Sequence, residues 1–171
     1  ATALAIGMGS AIISAGQSAM AAGTWAALKN RAPGPVQTML LLSDGTVMTE
    51  GVDDFAGTDW WRLTPDIHGS YLNGTWTQLA PMHDTRLFFS SQVLPDGRVF
   101  VAGGEYGSGA DSAEVYDPLT NKWTMAPSSG QTFSDSPSEV LPTGNDLITP
   151  VGPSTFGGTD ISPLLTNPWS A

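Results

Sequence analysis

The sequence predicts an all-β protein built from about three repeated units, each of four antiparallel strands. Three observations carry that prediction: tryptophans at near-constant spacing, a second series of glycine turns on the same beat, and a turn-rich composition. Trp25 lies in Gly23-Thr24-Trp25-Ala26-Ala27-Leu28, and Trp76 lies in the same frame 51 residues later, in Gly74-Thr75-Trp76-Thr77-Gln78-Leu79. Trp123 follows 47 residues on, and Trp169, in Leu165-Thr166-Asn167-Pro168-Trp169, a further 46. The second series is Leu42-Ser43-Asp44-Gly45, Leu94-Pro95-Asp96-Gly97 and Leu141-Pro142-Thr143-Gly144, which steps by 52 and then 47. Two independent series agreeing on a period near 50 mark a repeat architecture.

Composition bounds the rest. The 171 residues include 20 Gly and 13 Pro, below the roughly 25 to 30% of a low-complexity chain, so a folded domain with many turns is expected. Sixteen Asp plus Glu against six Lys plus Arg give a net charge of −10. Nucleic acid and anionic membrane surfaces bind through Lys and Arg, so both are disfavoured as partners. The absence of Cys removes disulfides, thiolate metal sites and thiol nucleophiles, and leaves the redox compartment open.

Residues 1–22 carry no charge, hold an apolar stretch from Leu4 to Ile13, and end near the small-x-small triplet Ala19-Met20-Ala21. This is similar to the later part of a secretory signal peptide without its basic start, and the expected address is secreted, periplasmic or cell-surface. An Ala-rich helix or a ragged terminus is the alternative. Gly7, Gly9, Ser10, Ser14, Gly16 and Ser18 make the stretch a poor membrane span, and no other apolar run is long enough.

The repeat domain is read as 23–171, in units of approximately 26–76, 77–123 and 124–169. In the first, strands are expected over Thr38 to Leu42, Thr46 to Thr49, near Trp60 to Leu63, and at Trp76, with a long last connection: 12 residues separate Leu63 from Trp76. The second unit is the clearest. Phe88 to Leu94 is a strand, Asp96-Gly97 a two-residue hairpin turn of positive φ, and Arg98 to Ala102 the return strand closed by Gly103-Gly104. Ala113 to Tyr116 is the third strand and Lys122-Trp123-Thr124 the fourth. The third unit is weaker, with Glu139 to Leu141 and Leu147 to Thr149 as strands, Pro150-Val151-Gly152 in place of the double glycine, and Ser162 near the tyrosine position.

Gly103-Gly104, eleven residues, Tyr116, six residues and Trp123 resemble the kelch repeat, whose period is near 50. The resemblance implies a kelch-type β-propeller within the galactose-oxidase-like superfamily, and the segment from Trp76 to Trp123 is also similar to repeats of exported bacterial kelch-type proteins. Trp25, Trp76, Trp123, Trp169, Gly103, Gly104 and Tyr116 are then structural repeat residues. Propellers close with four to eight blades, so about three blades read as a partial propeller. Its remaining blades are expected in a longer chain; self-association through exposed blade faces is the alternative.

Candidate sites are few. Galactose-oxidase-like enzymes use copper with Tyr and His ligands and a Tyr–Cys cross-link, which a Cys-free chain cannot form. His68 and His83 lie in different turns without metal-ligand spacing. Asp53, Asp54 and Asp59 gather three carboxylates in a Gly-containing loop with oxygen ligands suited to calcium, against the plain reading of a solvated acidic turn. No cofactor is predicted, with copper and calcium left open. Thr64-Pro65-Asp66-Ile67-His68-Gly69-Ser70-Tyr71 faintly resembles the aspartate box of sialidases, a structural turn. Arg86 belongs to one blade alone: the aligned positions are Gly34 and Phe133. The resemblance places binding on the loops around the central channel, which makes Arg86, Glu105 and Tyr106 the preferred contacts; an ion pair between Arg86 and Asp84 is the structural alternative. The expected function is an exported binding scaffold for a protein or carbohydrate. A fragment of a galactose-oxidase-like oxidoreductase, with its catalytic residues outside this segment, is the competing reading, and a structural envelope component the third.

Overall fold

The computed structural model describes residues 23–52, 55–149 and the strand 164–166. The 1–22 segment, Asp53, Asp54, Ser162 and Trp169 lie outside the described residues. The first sheet is a meander of β1 (Val36–Leu41), β2 (Val47–Gly51), β3 (Trp60–Thr64) and β4 (Thr75–Gln78). Next in the chain come β5 (Arg86–Leu87), β6 (Ser90–Val93), β7 (Val99–Ala102), β8 (Tyr106–Gly107), β9 (Ala113–Asp117) and β10 (Lys122–Ala126). The second sheet is β6-β7-β9-β10, while β5 and β8 pair as a separate ribbon. The third holds β11 (Ser138–Val140), β12 (Asp146–Ile148) and β13 (Leu164–Thr166), three strands among the described residues. Every pairing is antiparallel. Among the described residues no helix is long and apolar enough to cross a membrane.

Three equivalent hairpins set the register. Leu42, Leu94 and Leu141 each accept a bond from the glycine three residues on, and each donates to the residue after that glycine. Positive φ is confined to the glycine, at 80° for Gly45, 88° for Gly97 and 86° for Gly144. This is a type I turn closed by a glycine bulge, a three-residue loop in place of the expected two-residue turn, with the expected positive φ carried by the glycine. A second correction concerns the first strand of the middle unit, which starts at Ser90: Phe88 adopts φ 55° and breaks it from β5.

The long connection in the first unit is ordered by its aspartate. Asp66 Oδ1 accepts from the backbone N–H groups of His68 and Ser70, both at 2.9 Å, and Oδ2 accepts from Asn73 Nδ2. These donors hold the carboxyl below its ordinary pKa, the Ser70 bond most strongly. A one-turn 3₁₀ helix, Tyr71–Asn73, follows. The aspartate-box-like segment is therefore a turn within this connection.

Packing between sheets forms the core. Met48 and Trp60 of the first sheet meet Phe89, Val99, Val101, Tyr116 and Trp123 of the second; Phe100, Ala102 and Val115 on its other face meet Phe133 and Ile148. Residues of β7 are buried at every position because a neighbouring sheet covers each face, so the strand reads as a continuous apolar run. The Trp123 ring lies 5.5 Å from that of Trp60 and 5.1 Å from that of Tyr116. Its indole N–H donates to the Ala80 carbonyl at 2.9 Å, while Asn121 Oδ1 accepts from Ala80 N–H and from the Tyr116 hydroxyl. Trp76 repeats the arrangement one unit earlier, donating to the Asn30 carbonyl at 3.1 Å.

The tryptophan series does not hold at its start. Trp25 lies outside any strand and is 101% exposed, so it packs as no blade tryptophan does. In the third sheet Asp146 pairs with Thr166, as Val99 pairs with Tyr116. Thr166, not Ser162, thus occupies the tyrosine register. Trp169, the last of the series, lies outside the described residues.

Candidate functional site

Arg86 organises the loops that join the first two sheets. Its backbone bridges Gly57, donating at 3.1 Å and accepting at 3.3 Å. Its side chain is fully buried. Nη1 donates to the carbonyls of Gly103, Gly109 and Ser112 at 2.7, 2.7 and 2.9 Å, and Nη2 to Ser112 Oγ at 2.7 Å and Glu114 Oε1 at 3.2 Å. Asp84 lies 3.7 Å from Nη2. Burial pulls the guanidinium pKa down and Glu114 opposes that pull. Expected as a surface contact, Arg86 instead lies beneath the surface, because five acceptors from one loop and strand enclose it.

Glu114, which sequence reasoning missed, is the other half of this device. Its fully buried carboxylate accepts from the backbone N–H groups of His83 at 2.9 Å and Asp84 at 3.2 Å, and lies 2.7 Å from His83 Nδ1. Asp84 accepts from the hydroxyls of Ser112 and Ser108, and those bonds, Ser112 first, hold its pKa low. Together Arg86 and Glu114 lock residues 83–87 to residues 103–114. The signal in the sequence was an acidic residue inside the otherwise apolar run Ala113-Glu114-Val115-Tyr116.

The double glycine shapes the same loop. Gly103 has φ 75°, and a Cβ there would sit 2.3 Å from Phe133 Cβ, so only glycine fits. Gly104 N–H donates to the Phe133 carbonyl at 2.8 Å. Beyond this pair Glu105 and Tyr106 stand exposed. The structure adds Phe55 and Phe88, neither of which sequence reasoning chose. The Tyr106 ring centroid lies 4.4 Å from Phe55 and 6.2 Å from Phe88, inclined at 62° and 65°. Phe55, Phe88 and Tyr106 are 55%, 46% and 36% exposed. Phe88 reaches this position through its left-handed backbone, rare for a bulky residue, and its carbonyl accepts from Asp135 N–H at 3.1 Å. Hydrogen bonding to Glu105, with the negative charges of Glu105 and Asp135, pushes the Tyr106 phenol above its ordinary pKa. Three segments thus deliver an exposed aromatic platform rimmed by carboxylates.

Two further carboxyls lie buried in the seams between sheets. Among the described residues, both oxygens of Glu50 and of Asp146 find no hydrogen-bond partner, nor does the indole nitrogen of Trp60, the residue opposite Glu50. Burial raises Glu50 to about 8, with Arg86 opposing the rise. Burial and then Glu139 raise Asp146 to about 6. Among the described residues no group of three or more His, Asp or Glu side chains is placed to hold a metal ion. Asp59 is half-buried, its carbonyl taking the Gly51 N–H at 2.8 Å. His68 and His83 sit in separate turns.

Residues 93–130 match the kelch motif. Kelch-like protein terF of Aspergillus terreus is 28% identical over 120 residues, 62% of this chain and 26% of that protein. Kelch-like protein 40 of Mus musculus is 48% identical over 50 residues, 29% of this chain and 8% of that one. The chain therefore spans a small part of the length of these relatives. The solved structure of YjhT aligns with a TM-score of 0.55 at 22% identity, over 70% of this chain and 35% of that one. Motif, sheet order and structural likeness agree: the described residues form a partial kelch-type β-propeller.

Proposed function

We propose that this chain is part of an exported kelch scaffold that binds a protein partner through the platform of Phe55, Phe88 and Tyr106. Kelch repeats generally mediate protein interactions. The observation that carries the reading is an exposed aromatic cluster on loops that the buried Arg86 and Glu114 tie together. Aromatic side chains with few rotatable bonds are the usual anchors of binding surfaces, because ordering them on binding costs little entropy. Export rests on the uncharged apolar segment at 1–22; N-terminal sequencing of the protein from fractionated cells tests it, with uncleaved cytosolic protein as the refuting result.

The docking reading is tested by placing a photo-crosslinking benzoylphenylalanine at Tyr106, or at Leu119, which is 94% exposed in the turn between β9 and β10. A protein adduct at position 106 and none at 119 is expected. Equal adducts at both positions, or none at 106, would refute the platform. Adducts to glycan would reassign the surface to carbohydrate. Stoichiometric copper with a tyrosyl-radical absorption band in the full-length protein would favour the oxidoreductase reading.

A further inference from the structure

Resting on that reading and extending it, we infer that the platform takes an arginine- or lysine-bearing segment of the partner protein. Neither neighbouring ring stacks flat on Tyr106, so aromatic faces remain open beside one another. Each such face carries negative potential and attracts a cation within about 6 Å of its centroid. The charges that act on the Tyr106 hydroxyl among the described residues are both carboxylates, Glu105, which also hydrogen-bonds it, and Asp135. The guanidinium closest along the chain does not neutralise them at the surface, since Arg86, two residues before Phe88, is buried and bound to Glu114 and three carbonyls. With a net charge of −10 the whole chain adds attraction for a basic partner and repulsion for an acidic one. An open aromatic surface, an acidic rim and no basic side chain among the residues that form it select a cation on an apolar stem.

The experiment uses the full-length protein and a fluorescent peptide of alternating Arg and Gly, with its citrulline counterpart as an uncharged isostere, read by anisotropy over a salt series. The Arg peptide should bind more tightly than the citrulline peptide and weaken as salt rises. Tyr106→Phe should retain binding, whereas Tyr106→Leu, which keeps bulk and loses the ring face, should weaken it about 3- to 30-fold. The double change Glu105→Gln, Asp135→Asn should weaken binding and flatten the salt dependence. Equal affinity for the two peptides would overturn the cation assignment and leave the docking reading standing. Arg-peptide binding unchanged in Tyr106→Leu would overturn the inference in favour of diffuse attraction to an acidic surface. Absence of Arg-peptide binding also overturns it, while the crosslink at position 106 still decides the docking reading. Cellohexaose binding that is lost in Tyr106→Leu would assign the platform to carbohydrate instead.

Discussion

Replacing Glu50 by Gln tests the seam between the first two sheets. The carboxyl is fully buried, makes no hydrogen bond among the described residues, and is raised from 4.5 to about 8. The folded protein therefore holds this proton more tightly than the unfolded chain does. Its contribution to stability is greatest below about pH 4.5 and is lost as pH rises toward 8, above which it is constant. A rise of about 3.5 pKa units corresponds to roughly 5 kcal/mol across the full window, and about 3 kcal/mol of that is already lost at pH 7. Glu50→Gln keeps the shape and the unmet polar atoms and removes the titration. Urea unfolding at several pH values between 5 and 9 should show the variant gaining on the wild type by about 4 kcal/mol across that range. Because other groups titrate in both proteins, the difference between the two curves carries the information. Parallel curves, or a variant that loses ground as pH rises, would refute the argument.

Asp146→Asn should behave in the same sense over a lower window, removing about 3 kcal/mol of loss between pH 3.8 and about 6, as read by the same denaturation series. Arg86→Met leaves the Glu114 carboxylate buried without its guanidinium and should destabilise by about 3–5 kcal/mol; adding Glu114→Gln should restore part of that loss, and an additive double variant would show that the two groups are not coupled. Gly103→Ala should lower stability well beyond the ~1 kcal/mol expected of Gly130→Ala, since both glycines have positive φ but only Gly103 faces Phe133, whereas nothing lies within 4 Å of a Cβ on Gly130. Equal thermal-melt shifts for the two alanine variants would contradict the contact.

What could be read from the sequence was local. The three Leu-x-x-Gly turns announce themselves because positive φ at one residue selects glycine whatever lies around it, and the middle unit keeps its frame because Tyr116 and Trp123 face each other across a single hairpin. Glu105 and Tyr106 were legible as a pair beyond the double glycine. The platform was not, because Phe55 and Tyr106 stand 51 residues apart and Phe88 reaches them only through a backbone conformation that its residue type disfavours. Arg86 misled for a related reason. A charged residue unique to one unit suggests a surface role, and only the path of residues 103–114 reveals that its acceptors surround it. Glu50 occupies the strand position that Ala102 fills in the next unit; a buried acid there shows how far neighbouring blades depart from a common chemistry.

The seams carry a lesson for anyone who would rebuild this chain by adding or removing repeats. Arg86 at the head of the second unit exchanges backbone hydrogen bonds with Gly57 of the first, and Phe133 at the head of the third does so with Gly104 and Ala110 of the second. A module excised at the sheet edges would leave its own inner loop without a clasp and hand an unmatched one to its neighbour. The interchangeable part is therefore an overlapping tile, one sheet plus the opening residues of its successor, and a graft cut along those lines keeps every junction mated.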